Sequence, residues 1–171
     1  MTTEKPKEKE EKVVLTTLRQ NEEKWTKTLM ESGWVALPSI ILEKQQALGL
    51  TAMDINILLY LFTYWWTADN KPRPAKSTIA EAIGVSPRTV QRRIAAMEQA
   101  GFIRREQRRI SKEGSKPNLY HFDGLIKEIT PFALEKIEIK KQRMEEDKKR
   151  LPKKRATLRI VSPSSDEDRL I

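Results

Sequence analysis

The chain has 171 residues, of which 33 are Lys or Arg and 24 are Asp or Glu, so its formal net charge is +9 at pH 7. This excess favours a polyanionic partner, because Lys and Arg neutralise phosphates and release condensed counterions. The chain contains no Cys, which excludes disulfides, thiolate zinc sites and cysteine nucleophiles.

The N-terminal part of the chain predicts a disordered tail followed by two short helices. Residues 1–20 begin with a run of Lys and Glu that cannot bury a core, and they contain no apolar segment typical of an export signal. A short helix is expected to open near Asn21 and stop at Gly33. A second helix is expected to begin at Pro38 and Ser39 and to close at Gly49.

The segment that follows predicts a buried helix. Thr51 to Asp54 has the spacing of a capping box with Asp in place of Glu. The apolar residues after it include Phe62, Trp65 and Trp66, and an aromatic group of this density predicts a helix-bundle core rather than a ligand site. The stretch 55–66 is too short to span a bilayer. Residues 68–76 contain two prolines and are expected to form a loop.

Residues 76–101 have the spacing of a helix-turn-helix. Ser77 is expected to cap a first helix, and Gly84 supplies the left-handed residue that turns the chain. Ser86 is expected to cap a second helix with Pro87 at its first position, and Gly101 ends that helix. Arg93 departs from the commonest pattern, which has an apolar residue there.

The direction of side chains on the second helix follows from a rotation of about 100° per residue. Its buried face is expected to contain Val90, Ile94 and Met97. Arg88 and Arg92 then point roughly 160° to 200° away, with Gln91 beside them. Arg binds guanine with two hydrogen bonds and Gln binds adenine in the same way. The candidate base-reading residues are therefore Arg88, Gln91 and Arg92.

Residues 102–110 and 118–122 predict two strands, and the Gly, Ser and Pro residues between them predict a turn. Residues 71–123 contain twelve Lys and Arg against five Asp and Glu, which places +7 of the net charge of +9 in this segment. Alternation puts Arg104 and Arg108 on one face and Arg105 and Arg109 on the other, and one pair is expected to face a nucleic acid. The predicted backbone-contacting residues are Lys76, Ser77, Ser86, Thr89, Arg93, Arg104, Arg108, Lys112 and Lys116.

The C-terminal part predicts a helix from Pro131 to Leu151 that ends at Pro152. Its apolar residues recur every seven positions, but charged residues stand between them, so a coiled coil is poorly supported. A homodimer remains an open alternative, because two-fold half-sites are common for DNA-binding proteins of this size. The predicted organisation is a disordered tail at 1–20, a domain at 21–133, a charged helix at 134–155 and a disordered tail at 156–171.

These elements predict a mainly α fold with a small β-hairpin, a winged helix-turn-helix with extra N-terminal helices and a C-terminal helix. The chain resembles bacterial and phage winged helix-turn-helix proteins over about residues 25–133. The resemblance rests on GWVALPSIILEKQQALGL, DINILLYLFTYWW, STIAEAIGVSPRTVQRRIAAMEQAGFI and NLYHFDGLI. Related domains occur in transcriptional regulators and in phage and plasmid replication initiators of the lambda O type, so the resemblance implies DNA binding.

Three functions follow as expectations. The first is sequence-specific binding of double-stranded DNA as a transcriptional regulator, in the cytoplasm and associated with the nucleoid. The alternatives are a replication-initiation or partition protein of a plasmid or phage, and a protein-binding adaptor with a winged fold. No enzymatic activity, metal, cofactor, small-molecule ligand or membrane partner is predicted. The single histidine, His121, lies in a predicted strand and is expected to have a structural role.

Overall fold

The computed structural model describes residues 17–110 and 114–150, and the side chains of residues 17–108 and 117–150. The helices are α1 (helical over the described residues 17–25), α2 (Lys27–Glu31), α3 (Ser39–Glu43), α4 (Ala52–Phe62), α5 (Lys76–Ile83), α6 (Pro87–Gln99) and α7 (Asp123–Arg150). Strands β1 (Arg104–Ile110) and β2 (Gly114–His121) form an antiparallel hairpin between α6 and α7. The predicted fold class, a mainly α winged helix-turn-helix with flanking helices and a hairpin, is confirmed.

The chain divides into two compact units, residues 1–132 and residues 133–171. In the second unit, the described residues 133–150 are helical and mostly exposed. Glu146 and Arg150 form an exposed ion pair of 3.7 Å along this helix, which contributes little stability because solvent screens it. The predicted domain boundaries at residues 20, 133 and 155 stay predictions, and most of both predicted tails lies outside the described residues. No helix in the described ranges has the length and apolar character needed to cross a membrane.

The three central helices pack around one apolar core in the first unit. Helix α4 buries Ile57 and Leu61, α5 buries Ile79, and α6 buries Val90 and Ile94, all with no exposed surface. The predicted capping box opens α4: the Thr51 hydroxyl accepts from the Asp54 amide at 3.3 Å, and Asp54 Oδ2 accepts from the Thr51 amide at 2.8 Å. The sequence pattern at this helix start is therefore confirmed.

The predicted turn between α5 and α6 is confirmed. Gly84 has φ +71° and ψ +36°, the left-handed conformation that favours glycine. The Val85 amide donates to the Ala80 carbonyl at 2.9 Å, and Ser86 Oγ accepts from the Thr89 amide at 3.1 Å, with Pro87 at the first position of α6. These local contacts set the direction in which α6 leaves the turn.

Three helix starts differ from the prediction. Helix α5 begins at Lys76 with Ala75 at its N-cap, so Ser77 lies inside the helix and does not cap it. Residues 17–20, predicted to be disordered, belong to α1, where Leu, Arg and Gln favour a helix. Helix α7 begins at Asp123 rather than Pro131, because Leu125 and Ile129 are buried and hold the first turns against the core.

The aromatic residues after α4 are only partly buried. Phe62, Trp65 and Phe122 form a cluster with ring centroids 4.9 to 5.9 Å apart, the spacing of favourable aromatic pairs. Trp66, predicted to lie in the core, is 61% exposed. The core prediction is therefore correct for Phe62 and wrong for Trp66, which follows the end of α4.

The hairpin is longer than predicted and contains a bulge. Strand β2 begins at Gly114 rather than Asn118, so the predicted turn is mostly strand. The register pairs Glu106 with Leu119 and Arg108 with Lys116, which leaves Gln107 opposite both Pro117 and Asn118. A bulge tolerates a proline because the extra residue makes no ladder hydrogen bond. The loop before α5 flanks β2, where the Tyr120 amide donates to the Pro72 carbonyl at 3.0 Å.

Candidate nucleic-acid interface

Helix α6 turns its predicted base-reading residues away from the core. Val90 and Ile94 are fully buried and Met97 is 2% exposed, while Arg88, Gln91 and Arg92 are exposed on the other side. The rotation derived from the sequence is therefore correct. Arg88 and Arg92 follow the helix start within two turns, and their predicted base contacts stay predictions.

A groove with a volume of about 1110 Å³ lies between α6, the start of α5 and the hairpin. We call it the α6–hairpin groove. The helices contribute Lys76, Ser77, Arg88, Gln91, Arg92 and Ala95 to its lining. The hairpin contributes Arg105, Gln107, Pro117, Asn118 and Tyr120. Five residues predicted from the sequence therefore meet at one surface, and no Asp or Glu stands among its described lining residues.

Two of the groove residues hold one another. Lys76 Nζ, at the start of α5, donates a hydrogen bond to Gln91 Oε1 on α6 at 3.0 Å. The residues are 15 positions apart in the chain and meet because the Gly84 turn brings the two helices together. The bond fixes the orientation of the Gln91 amide, and the Nε2 group takes no part in it.

Ser86 and Thr89 form the N-terminal cap of α6. Besides the capping bond to the Thr89 amide, the two hydroxyl oxygens lie 2.9 Å apart. Ser86 is exposed, and neither residue lines the α6–hairpin groove. A helix N-terminus favours a phosphate because its first amides have no partner within the helix. The predicted phosphate contacts of both residues stay predictions.

Arg93 binds an acidic residue of α4. Its Nε donates to Asp54 Oδ1 at 2.8 Å, and a second guanidinium nitrogen binds Asp54 Oδ2. Burial raises the pKa of Asp54, but the hydrogen bonds from Arg93 and Thr51 outweigh burial and place the pKa below its ordinary value. The hydrogen bond that Arg93 donates to Asp54 raises the pKa of Arg93 in turn. Arg93 thus joins α6 to the capping box of α4, and its predicted contact with the DNA backbone stays a prediction.

The hairpin turns Arg105 toward the groove. Paired residues of antiparallel strands lie on the same face, so Arg104 and Glu106 share one face with His121 and Leu119, and alternation along β1 places Arg108 on that face too. Arg105 and Gln107 lie on the opposite face and line the α6–hairpin groove. Arg104 and Arg108 do not line the groove, and their predicted contacts with the DNA backbone stay predictions. Lys112 lies outside the described residues, and the side chain of Lys116 is outside the described set.

Arg105 is fixed by an acid of α6. Its Nε donates to Glu98 Oε2 at 2.7 Å, its main-chain amide donates to Glu98 Oε1 at 3.1 Å, and a second guanidinium nitrogen also binds Oε2. The hydrogen bond from Arg105 holds the pKa of Glu98 below its ordinary value. This contact anchors the hairpin to the end of α6 and sets the width of the groove.

The single histidine takes part in a contact across the hairpin. His121 is buried, and its Nε2 lies 3.0 Å from Glu106 Oε2 on the face away from the groove. This position agrees with the structural role expected for His121. Within residues 17–110 and 114–150, no three His, Cys, Asp or Glu side chains are grouped as a metal site requires.

The geometry is that of two helices joined by a tight glycine turn, with the second helix exposed beside a hairpin. Residues 48–103 match the family model described as a helix-turn-helix domain. Helices α5 and α6 and the Gly84 turn between them form a helix-turn-helix. The match covers α4, α5 and α6 and ends where the hairpin begins, so the predicted resemblance is confirmed for this segment.

The fold around the helix-turn-helix domain is similar to several solved structures. The N-terminal domain of DnaD from Geobacillus kaustophilus is 17% identical, with a TM-score of 0.48 over 67% of this chain and 93% of that chain. A possible transcriptional regulator from Methanosarcina mazei is 17% identical, with a TM-score of 0.40 over 63% of this chain and 85% of that chain. The comparison with curated proteins gave no match.

Sequence reasoning missed the hairpin half of the groove. Gln107 and Asn118 line it, and neither was predicted as a contact residue. Alternation along β1 does place Gln107 on the same face as Arg105, which was the available signal. The choice between the two faces depends on how the hairpin docks against α6, through the Arg105–Glu98 contact, and no local pattern contains that information.

Proposed function

We propose that the protein binds double-stranded DNA in a sequence-dependent manner, with α6 in the major groove, and acts as a transcriptional regulator. The observation that supports this most is the α6–hairpin groove, where Arg88, Gln91 and Arg92 are exposed together and no carboxylate stands among the described lining residues. A surface of this composition attracts phosphates and offers hydrogen-bond donors to base edges.

The dimensions of the interface fit this role. The major groove of B-DNA is about 12 Å wide and accepts one α-helix. Helix α6 has 13 residues and carries Arg88, Gln91 and Arg92 in its first half, the part of a recognition helix that contacts base edges. The hairpin stands beside it, with Gln107 and Asn118 on the face toward α6. We propose that this face of the hairpin contacts the DNA backbone next to the groove that α6 enters.

The positive charge supports a strong electrostatic component. Residues 71–123 carry a net charge of +7, and they include both α6 and the hairpin. Each phosphate that the protein neutralises releases a counterion, so the affinity should fall steeply as salt increases. A protein-binding adaptor with the same fold would show no such dependence on duplex DNA. A salt titration of duplex binding therefore separates the two functions.

We also propose the cellular process in which the protein binds DNA. We place the protein in the cytoplasm, associated with the nucleoid, where it regulates transcription as a homodimer on two-fold sites. Genomic footprinting tests this role: peaks at promoters support a regulator, and a cluster at one origin would assign it to replication or partition instead. Light scattering of the free protein and of its DNA complex measures the number of copies.

The Arg92→Ala variant tests the placement of α6. We expect it to weaken binding to the preferred site by about 1–3 kcal/mol and to relax base preference at one position, because a base-edge contact is lost. Lys127→Ala is the matched control, since Lys127 is an exposed cation of α7 that does not line the groove. If Arg92→Ala weakens preferred and random duplexes by the same factor, α6 does not read bases.

A further inference from the structure

The groove side chains that face the DNA in the proposed function offer mainly hydrogen-bond donors. Arg88, Arg92 and Lys76 carry donors and no acceptor. Gln91 alone among the three base-reading candidates also has an acceptor, and its Oε1 accepts from Lys76 Nζ at 3.0 Å. The exposed surface of α6 is therefore biased toward base edges that present acceptors.

The Lys76–Gln91 contact decides which base suits Gln91. A glutamine that binds adenine with two hydrogen bonds accepts from adenine N6 through Oε1 and donates to N7 through Nε2. Lys76 takes one of the two lone pairs of Oε1 and places a positive charge beside it, which disfavours the N6 donor of adenine at that oxygen, while Nε2 and Nζ together offer donors to the base. Guanine offers N7 and O6 as two acceptors on its major-groove edge, so this pair of side chains fits guanine.

Other bases are less well matched by the groove. Cytosine presents its N4 amino group, which a carboxylate accepts best, and the described lining residues include no Asp or Glu. Arg88 and Arg92 are four residues apart, which is about 6 Å along a helix axis. That distance is close to two base-pair steps at about 3.4 Å each.

We propose that the preferred site presents guanines to α6, with Arg88 and Arg92 on two guanines about two base pairs apart. Lys76 acts as a positioning residue that directs Gln91 to guanine instead of adenine. This inference rests on the proposed function, because it requires α6 to lie in the major groove. It goes further in naming the bases and in giving Lys76 a role in specificity rather than in phosphate binding.

Selection from a random duplex library at about 0.15 M salt tests the base preference. We expect guanine to be enriched at two positions about two base pairs apart, for Arg88 and Arg92, and at a further position for Gln91. Replacing those guanines with 7-deazaguanine removes the N7 acceptor and keeps base pairing, and it should weaken binding by at least about 5-fold. The same replacement of adenines by 7-deazaadenine outside these positions is the control and should leave affinity unchanged.

The role of Lys76 is tested by a change in preference and not by affinity alone. In Lys76→Met the Gln91 amide is released, so selection should shift one position from guanine toward adenine. Lys76→Arg keeps a donor for Gln91 and should retain guanine. Lys127→Met removes a charge outside the groove and should leave the selected sequence unchanged. A purely electrostatic role of Lys76 would weaken binding without any shift in the selected base.

The outcomes separate this inference from the proposed function. Salt-dependent duplex binding with no enrichment of guanine, or with adenine selected by the unaltered protein at the Gln91 position, overturns the inference and leaves the proposed function standing. Guanine selection that is unchanged in Lys76→Met overturns the positioning role. Absence of salt-dependent duplex binding overturns the proposed function itself.

Discussion

The guanidinium of Arg93, on α6, forms a two-point ion pair with the carboxylate of Asp54, the residue that closes the capping box of α4. Asp54 is 1% exposed, whereas the Arg93 side chain keeps 26% of its surface. The pair joins two helices whose residues are 39 positions apart in the chain. It fixes the rotation of α6, and with it the direction of the neighbouring Arg92.

We predict that Arg93→Ala lowers the free energy of unfolding by about 3 kcal/mol, because it leaves the Asp54 carboxylate buried without its charged partner. Arg92→Ala is the matched control on the same helix, and its exposed side chain should change stability by less than about 0.5 kcal/mol. Urea unfolding measures both variants. Equal stabilities for the two variants would show that the ion pair contributes nothing to the fold.

We predict an acid-dependent contribution from Asp54. Burial raises its pKa, but the Arg93 and Thr51 hydrogen bonds lower it by more, so the folded-state pKa lies below the unfolded value of about 3.9. The stability from this group is complete above the unfolded pKa and is lost as the pH falls through the folded pKa. The difference in unfolding free energy between the unaltered protein and Asp54→Asn should therefore be constant from about pH 7 to 5 and shrink below about pH 4. A difference that stays constant down to pH 2 contradicts this assignment.

We predict that the two faces of the hairpin differ in their effect on DNA binding. Gln107→Ala, on the groove face, should weaken specific binding roughly 2- to 10-fold through the loss of a hydrogen bond. Arg104→Ala, on the other face, should change it by less than about 2-fold at 0.15 M salt, because screening is strong beyond about 8 Å. Fluorescence anisotropy on one duplex compares the variants. The reverse order of effects would place the Arg104 face on the DNA.

We predict that Gly124→Ala destabilises the protein, although alanine favours a helix by about 1 kcal/mol over glycine. A Cβ at position 124 would lie 1.7 Å from the Gly101 carbonyl oxygen, so the start of α7 must move away from the end of α6. We expect a net loss of more than about 2 kcal/mol in thermal or urea unfolding. Lys127→Ala in the same helix is the control. A Gly124→Ala variant as stable as the unaltered protein would refute the close approach of these two segments.

The features that the sequence alone determined are those that depend on residues within one turn of each other. The Thr51–Asp54 capping box, the left-handed Gly84 and the Ser86–Pro87 helix start follow from such neighbours. The outward direction of Arg88 and Arg92 follows from helix periodicity once the buried face is known. Local chemistry was therefore enough to find the helix-turn-helix and its exposed face.

Only the tertiary structure decided which partners distant residues take. Arg93 was predicted to contact the DNA backbone, and the structure shows that its guanidinium binds Asp54 of α4. Gln91 meets Lys76 because α5 packs on α6. The bulge and the Arg105–Glu98 contact determine which face of the hairpin is turned toward α6. The burial of Leu125 determines where α7 begins. Such choices depend on contacts between segments far apart in the chain, and periodicity and turn residues carry no information about them.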